Sequence, residues 1–264
     1  MTNISRRTLL KASAASAVGV AGASAGTSAS AASKKVVIVG GGIGGATAAQ
    51  YLKKMDPSID VTIVEYNKDY YTCFMSNEVL SGKRTLKSFK LGDSGLSKHG
   101  VNIVNDVVTG IDADKRVVKT AGGDSFSYDR CIVAPGVDFK WDAIDGYDAK
   151  IAENTPHAWK AGPQTATLRK QLEGMKDGGT FVMVPPTNPF RCPPGPYERV
   201  AQIAHYFTQH KPKSSIIILD PKKKFSKFGL FNAGWAKHYG YDPKNPTGDG
   251  MIKWFNNENG GESN

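Results

Sequence analysis

Five glycines in six residues, Gly40-Gly41-Gly42-Ile43-Gly44-Gly45, form the first stretch whose residue types and spacing could do chemistry. Read as Gly40-x-Gly42-x-x-Gly45, the run puts one glycine where a tight turn is needed. It puts a second where a backbone must approach a pyrophosphate, and a third where a helix must pack closely on a strand. Gly44 belongs to the same turn and is counted among the contacts. A helix opening here would aim its free N–H groups and positive dipole end at phosphates. Glu65, 20 residues past Gly45, is placed to accept hydrogen bonds from a ribose. The other reactive groups are sulfurs. Cys73, Cys131 and Cys192 make an odd count, so at least one is free, modified or paired outside the chain. Taken alone, Cys73 is a loop thiol in a polar Tyr-Thr turn and Cys131, inside an apolar run, is core packing. Cys192 is followed by Pro193-Pro194, which would hold it rigidly.

The elements that must position these groups can be read from periodicity. Lys35 to Val39 is expected as a short buried strand, followed by a helix from Ala46 to about Met55 closed by Asp56-Pro57, and a strand from Val61 to Glu65. This is a βαβ unit with the glycine turn at its first junction. Val101 to Tyr128 reads as a small antiparallel meander leading into a buried strand, Cys131 to Ala134. After a polar connection from Asp138 to Pro163, a second βαβ is expected. It has a helix near Thr165 to Met175, a strand from Thr180 to Val184, a helix from Tyr197 to Gln209 and a strand from Ser215 to Asp220. Beyond Phe225 periodicity weakens, and Asn256 to Asn264 carries no packing signal.

The segment Tyr128-Asp129-Arg130-Cys131-Ile132-Val133-Ala134-Pro135-Gly136 resembles the second FAD-contact motif of the two-dinucleotide-domain flavoproteins, with Pro135 where threonine is usual. That resemblance implies an α/β fold of two Rossmann-like dinucleotide-binding domains, glutathione-reductase-like, with residues 33–150 binding FAD and residues 151–264 forming a degenerate NAD-like domain. It implies FAD at the first glycine turn, with Ala134 and Gly136 contacting it and Val108 meeting the adenine through its backbone. In the second unit the turn reads Pro185-Pro186-Thr187-Asn188-Pro189-Phe190-Arg191-Cys192-Pro193-Pro194-Gly195-Pro196. Prolines remove the N–H donors that would grip a pyrophosphate, so NAD(P)H is not expected to serve.

At the N-terminus, Ser5-Arg6-Arg7-Thr8-Leu9-Leu10-Lys11 precedes a mildly apolar stretch and small-residue sites such as Ala29-Ser30-Ala31. This is the pattern of a twin-arginine signal peptide, expected over residues 1–32, and it predicts a periplasmic destination. Its removal would delete Arg6, Arg7 and Lys11 and no acid, taking the formal charge from +10 to +7. Part of the remaining excess is Lys222-Lys223-Lys224 with Lys227, read as a solvated lysine-rich loop or as a surface that steers acidic partners and anions. No basic stripe interleaved with aromatics appears, so nucleic-acid binding finds no support. No apolar run is long enough to span a membrane, and no metal site is expected.

Three further groups of residues resemble one family. They are Tyr70-Tyr71-Thr72-Cys73 with Ser76-Asn77-Glu78; Arg191-Cys192-Pro193-Pro194-Gly195-Pro196-Tyr197-Glu198-Arg199; and Phe225-Ser226-Lys227-Phe228-Gly229-Leu230-Phe231 with Gly234-Trp235. Together they look like the flavoprotein subunit of flavocytochrome c sulfide dehydrogenase, over residues 1 to 240. The resemblance implies a thioether from Cys73 to the flavin and a role for Cys192 as one half of a redox disulfide that hydrosulfide attacks. It also implies a separate c-type cytochrome subunit as electron acceptor, since the chain has no Cys-x-x-Cys-His. In the family, the second redox cysteine, the returning half of the FAD domain and an interface region come later than residue 264. The chain is therefore expected to be truncated, its FAD domain incomplete. The alternatives are a non-catalytic FAD-binding fragment and a relative of sulfide:quinone oxidoreductase.

Overall fold

A computed structural model describes residues 33–259 with the exception of residue 93. The twin-arginine segment lies outside the described residues, as does the end of the chain from residue 260. Strand β1 (Lys35–Val39) is followed by helix α1 (Ile43–Met55) and strand β2 (Asp60–Val64). Next come β3 (Tyr70–Tyr71), the short helix α2 (Glu78–Ser81), β4 (Lys90–Leu91), α3 (Ser94–Ser97) and β5 (Val101–Val104). Strands β6 (Val108–Asp112), β7 (Val117–Thr120) and β8 (Ser125–Ser127) form an antiparallel meander, and β9 (Arg130–Val133) follows it.

The first sheet is four-stranded in the order β5-β2-β1-β9, with every pairing parallel. In β1 the successive residues Val36, Val37 and Ile38 are all buried, the signature of a strand covered on both faces. Val36 and Ile38 pack with Val61, Ile63 and Ala49 of α1, whereas Val37 packs with Val64 and Val118 of the meander. The helix covers one face and the meander the other. The meander is shorter than the sequence suggests: Val101–Val104 belongs to the parallel sheet, in register with Val61–Val64. A four-residue strand is equally apolar in either setting, so its run of residues could not decide between them.

In the second half, α4 (Pro163–Gly174) leads to β10 (Thr180–Met183), α5 (Gly195–His210), β11 (Ser215–Leu219), α6 (Phe228–Tyr239) and β12 (Ile252–Phe255). The strands form a parallel sheet, β10-β11-β12. Helix α5 buries Arg199, Val200, Ile203, Ala204 and Phe207, spaced as one helical face. That face packs with Ile216 and Ile218 of β11 and Ile252 and Trp254 of β12. Helix α6 and strand β12 are not apparent in the sequence. Gly229 and Gly234 weaken the helical signal, and β12 is four residues long; both are held by burial of Trp235 and Trp254.

Candidate active site

The glycine turn is built around two close approaches. Gly40 has φ +99°, and a Cβ there would lie 2.2 Å from the Ala134 carbonyl oxygen, so the end of β9 closes directly on the turn. A Cβ at Gly45 would lie 1.8 Å from the Gly40 carbonyl oxygen and 3.1 Å from Ile38, so α1 can approach β1 only with glycine at that position. By contrast, a Cβ at Gly42 would meet nothing nearer than the Tyr70 ring at 3.9 Å. The space above the helix N-terminus is open. Gly42 is extended and carries no side-chain cap, and the first turn has no acid, which leaves that end free to meet an anion. Ala46 N–H donates to the Gly42 carbonyl at 2.8 Å, so α1 starts at Ile43 and not at Ala46 as the sequence suggests.

Glu65 follows β2 and its carboxylate reaches back to the turn. Oε2 accepts from the Gly41 N–H at 2.6 Å, and Oε1 accepts from the backbone and side-chain N–H groups of Asn67, each at 2.8 Å. A Cβ at Gly44 would lie 3.6 Å from the Ala134 Cβ, and Gly136 takes φ +82° just beyond Ala134. Val108 opens β6 opposite Thr120, beside a register shift, with its side chain against the meander-side core. An open cradle with bare helix-end N–H groups and an acid at its rim fits the pyrophosphate and ribose of a dinucleotide. Gly40, Gly42, Gly44 and Gly45 would hold the former and Glu65 the latter.

The cysteines fall in three settings. Cys131 on β9 is half-buried against the meander-side core, and burial pushes its thiol up. Cys73 is exposed in a turn closed by the Ser76 N–H on its carbonyl at 3.2 Å. Tyr70, three residues before it, borders the glycine turn, its ring 3.9 Å from where a Gly42 Cβ would stand. Burial raises the Tyr70 hydroxyl, and the charge of nearby Cys73 adds to that rise. Cys192 is exposed and takes φ +59°, a left-handed backbone that side-chain-bearing residues rarely adopt. Its sulfur lies beside Gly195, the first residue of α5: a Cβ on that glycine would be 3.3 Å from Cys192 Sγ and 3.3 Å from the Trp159 ring.

Arg199, one turn into α5, ties these pieces together. Its Nη1 and Nη2 donate to the carbonyls of His157 and Ala158, and Nε donates to Asn77 Oδ1 at 3.0 Å. The guanidinium lies 4.8 Å from the centre of the Trp159 ring. Ala158 has φ +46°, which turns two consecutive carbonyls toward the same cation. Asn77 is four residues after Cys73, so one buried side chain connects the Cys73 segment with the helix that follows Cys192. Burial pulls the Arg199 guanidinium down to about 10, with Cys192 and Glu198 opposing, and it stays charged at neutral pH. Burial, and then the Arg199 charge, lower His157 to about 4, so the imidazole is neutral and its Nδ1 accepts from the Trp159 N–H at 2.9 Å. The sequence motifs contain Asn77 and Arg199, but nothing in their spacing shows that they meet across 122 residues.

One lysine of the run departs from the solvated loop expected of it, while Lys227 is exposed as expected. Lys222 is buried and its ammonium lies 2.7 Å from Asp220, whereas Lys223 and Lys224 are exposed. Asp220 is completely buried and accepts from four groups. Oδ2 takes the Tyr197 hydroxyl at 2.6 Å and the Trp254 indole at 3.1 Å, while Oδ1 takes the backbone and ammonium of Lys222.

The pattern of the pyridine nucleotide-disulphide oxidoreductases matches residues 34–173, and that of the central part of the sulfide dehydrogenase (flavocytochrome c) flavoprotein chain matches residues 165–264. The flavoprotein chain from Chlorobaculum thiosulfatiphilum is 57% identical over 38 residues, which are 14% of this chain and 79% of that sequence. The mitochondrial sulfide:quinone oxidoreductase of Mus musculus is 27% identical over 191 residues, 67% of this chain and 39% of its own. The chain thus spans about two fifths of the length of the mitochondrial relatives it matches. Among solved structures, the sulfide:quinone oxidoreductase from Aquifex aeolicus superposes with a TM-score of 0.62 at 19% identity, over 85% of this chain and 51% of that one.

Fold and glycine cradle therefore place the chain in the pyridine nucleotide-disulphide oxidoreductase class, whose pattern covers residues 34–173. Within that class, the chain belongs to the flavoprotein chains of flavocytochrome c sulfide dehydrogenase.

Proposed function

We propose that this chain is the flavin-bearing part of a sulfide:cytochrome c oxidoreductase, carried folded to the periplasm by the twin-arginine segment of residues 1–32. FAD lies on the Gly40–Gly45 turn and is joined through Cys73, and Cys192 is the residue that reacts with sulfur. When bound, FAD supplies the two-electron acceptor, and a separate c-type cytochrome receives the electrons from it. In net terms, hydrosulfide and the Cys192 thiolate form one S–S bond, giving a persulfide, one proton and two electrons. The protein's own contribution is to present Cys192 to solvent with a fixed positive charge nearby and to hold it in register with the Cys73 turn. The observation that carries this reading is the Arg199 tie between Asn77 and the start of α5.

Purified protein provides the test. Its flavin should survive acid precipitation, and Cys73→Ala should release it. Sulfide should bleach the bound flavin in the wild type and leave Cys192→Ser unchanged, and cytochrome c should restore the oxidised spectrum. A flavin that ignores sulfide would favour the non-catalytic FAD-binding alternative. Reoxidation by a soluble quinone and not by cytochrome c would favour the quinone-linked one, for which the 27% identity to the murine enzyme speaks. Among the described residues no helix is long and apolar enough to cross a membrane.

A further inference from the structure

The unit β10–α5–β11 has the layout of a dinucleotide site, and Asp220 directly follows β11 as Glu65 follows β2. In a working site of this kind, the carboxylate at that strand end faces the ribose. Asp220 does the opposite: it is sealed inside, with Tyr197, Trp254 and Lys222 on its two oxygens. Two of those partners, Lys222 and Tyr197, lead to the Cys192 loop. Lys222 Nζ also donates to the Pro186 carbonyl at 2.7 Å and lies 5.2 Å from the centre of the Phe190 ring. Phe190 meets Trp159 edge-on at 6.1 Å, and Trp159 and Cys192 Sγ together flank Gly195. Tyr197 stands in the first turn of α5, immediately after the loop. The segment from Pro186 to Tyr197 is thereby held at its start, in its middle and at its end by a single carboxylate and the lysine paired with it.

We propose that Asp220 and Lys222 are positioning residues for Cys192: the carboxylate this βαβ unit would otherwise offer to a ribose anchors, through Lys222 and Tyr197, both ends of the loop that presents the cysteine. A loop containing six prolines between Pro185 and Pro196 has few N–H groups with which to fix itself. Its anchors must come from outside, and these are the ones the structure supplies. The consequence for sulfide chemistry rests on Cys192 being the sulfur-reacting residue; the anchoring itself does not.

Hydrogen exchange on the full chain separates the two. The Gly195 and Glu198 N–H groups donate to the carbonyls of Cys192 and Pro194 at 2.8 and 3.0 Å, and so report on the loop. In Lys222→Met these amides should exchange at least tenfold faster, while those of Gly40 and Ala46 at the first glycine turn keep wild-type rates. Lys222→Arg should restore most of the protection, and Lys223→Met, at an exposed position, should change nothing. Should Lys222→Met not fold, Tyr197→Phe removes a single hydroxyl and should give a smaller acceleration confined to the same amides. Unchanged protection at Gly195 and Glu198, or an equal acceleration throughout the chain, would overturn the proposal. With flavin bound, Lys222→Met should lower the maximal rate of bleaching by sulfide about tenfold with little change in the half-saturating concentration. If the exchange pattern appears but wild-type flavin is indifferent to sulfide, the clasp stands and the functional reading fails.

Discussion

Cys192 keeps a left-handed backbone although it is not glycine, at a cost on the order of 1 kcal/mol. Nothing in its burial repays that cost, since the side chain is exposed. Cys192→Gly should therefore melt no lower than the wild type while losing all reaction with sulfide, a result that thermal denaturation and flavin spectra can check together. His157 makes a second prediction at this scale. Its folded value near 4 lies below the ordinary 6.5, so the unfolded chain takes up the proton first as pH falls. The stabilisation is complete above about pH 6.5 and drains away toward pH 4. Melting temperature should fall across that window in the wild type and fall less in His157→Gln.

The elements that carry chemistry are short ones meeting at strand ends. The turn between β1 and α1 tolerates no side chain at Gly45, where a Cβ would overlap the Gly40 carbonyl. Gly45→Ala should destabilise the protein by about 2–3 kcal/mol and weaken flavin retention at least tenfold, as measured by denaturant melts and dialysis. This part of the fold could be read from sequence because a single local pattern, strand then glycines then helix, determines it. The Cys192 loop could not be read in the same way. Its prolines reveal that a pyrophosphate is unwelcome, but its contacts run to Lys222 and, through Tyr197, to Asp220, which lie downstream in the chain and bear no spacing relation to it. Lys222 resembles its neighbours Lys223 and Lys224 in sequence, and only burial beside Asp220 distinguishes it. Likewise β12 becomes a strand because β11 offers it a parallel edge and the core accepts Trp254.

Across the whole molecule, two parallel sheets repeat one layout with opposite outcomes. In the first, an open turn and a rim carboxylate remain available to a ligand; in the second, the corresponding acid is internal and the turn is proline. NADH should therefore neither bleach the bound flavin nor protect the protein against thermal unfolding at millimolar concentration. Either effect would show that the second unit retains a nucleotide site. The two βαβ frames, β1–α1–β2 and β10–α5–β11, were legible because alternating β and α segments imply parallel sheets, whereas the short elements between β2 and β5 and the place of β5 itself were not. The contacts joining the two cysteine-bearing segments were not, because they run through single side chains reaching across more than a hundred residues.

Arg199 is satisfied by two main-chain carbonyls and a side-chain amide, and among the described residues no carboxylate lies within ion-pair distance of it. Dipoles orient the guanidinium without cancelling it, so an anion approaching Cys192 should meet its positive charge, opposed in part by Glu198. Thiocyanate, a monovalent anion of little chemical consequence here, should then slow sulfide-dependent flavin bleaching competitively, and Arg199→Gln should relieve most of that competition.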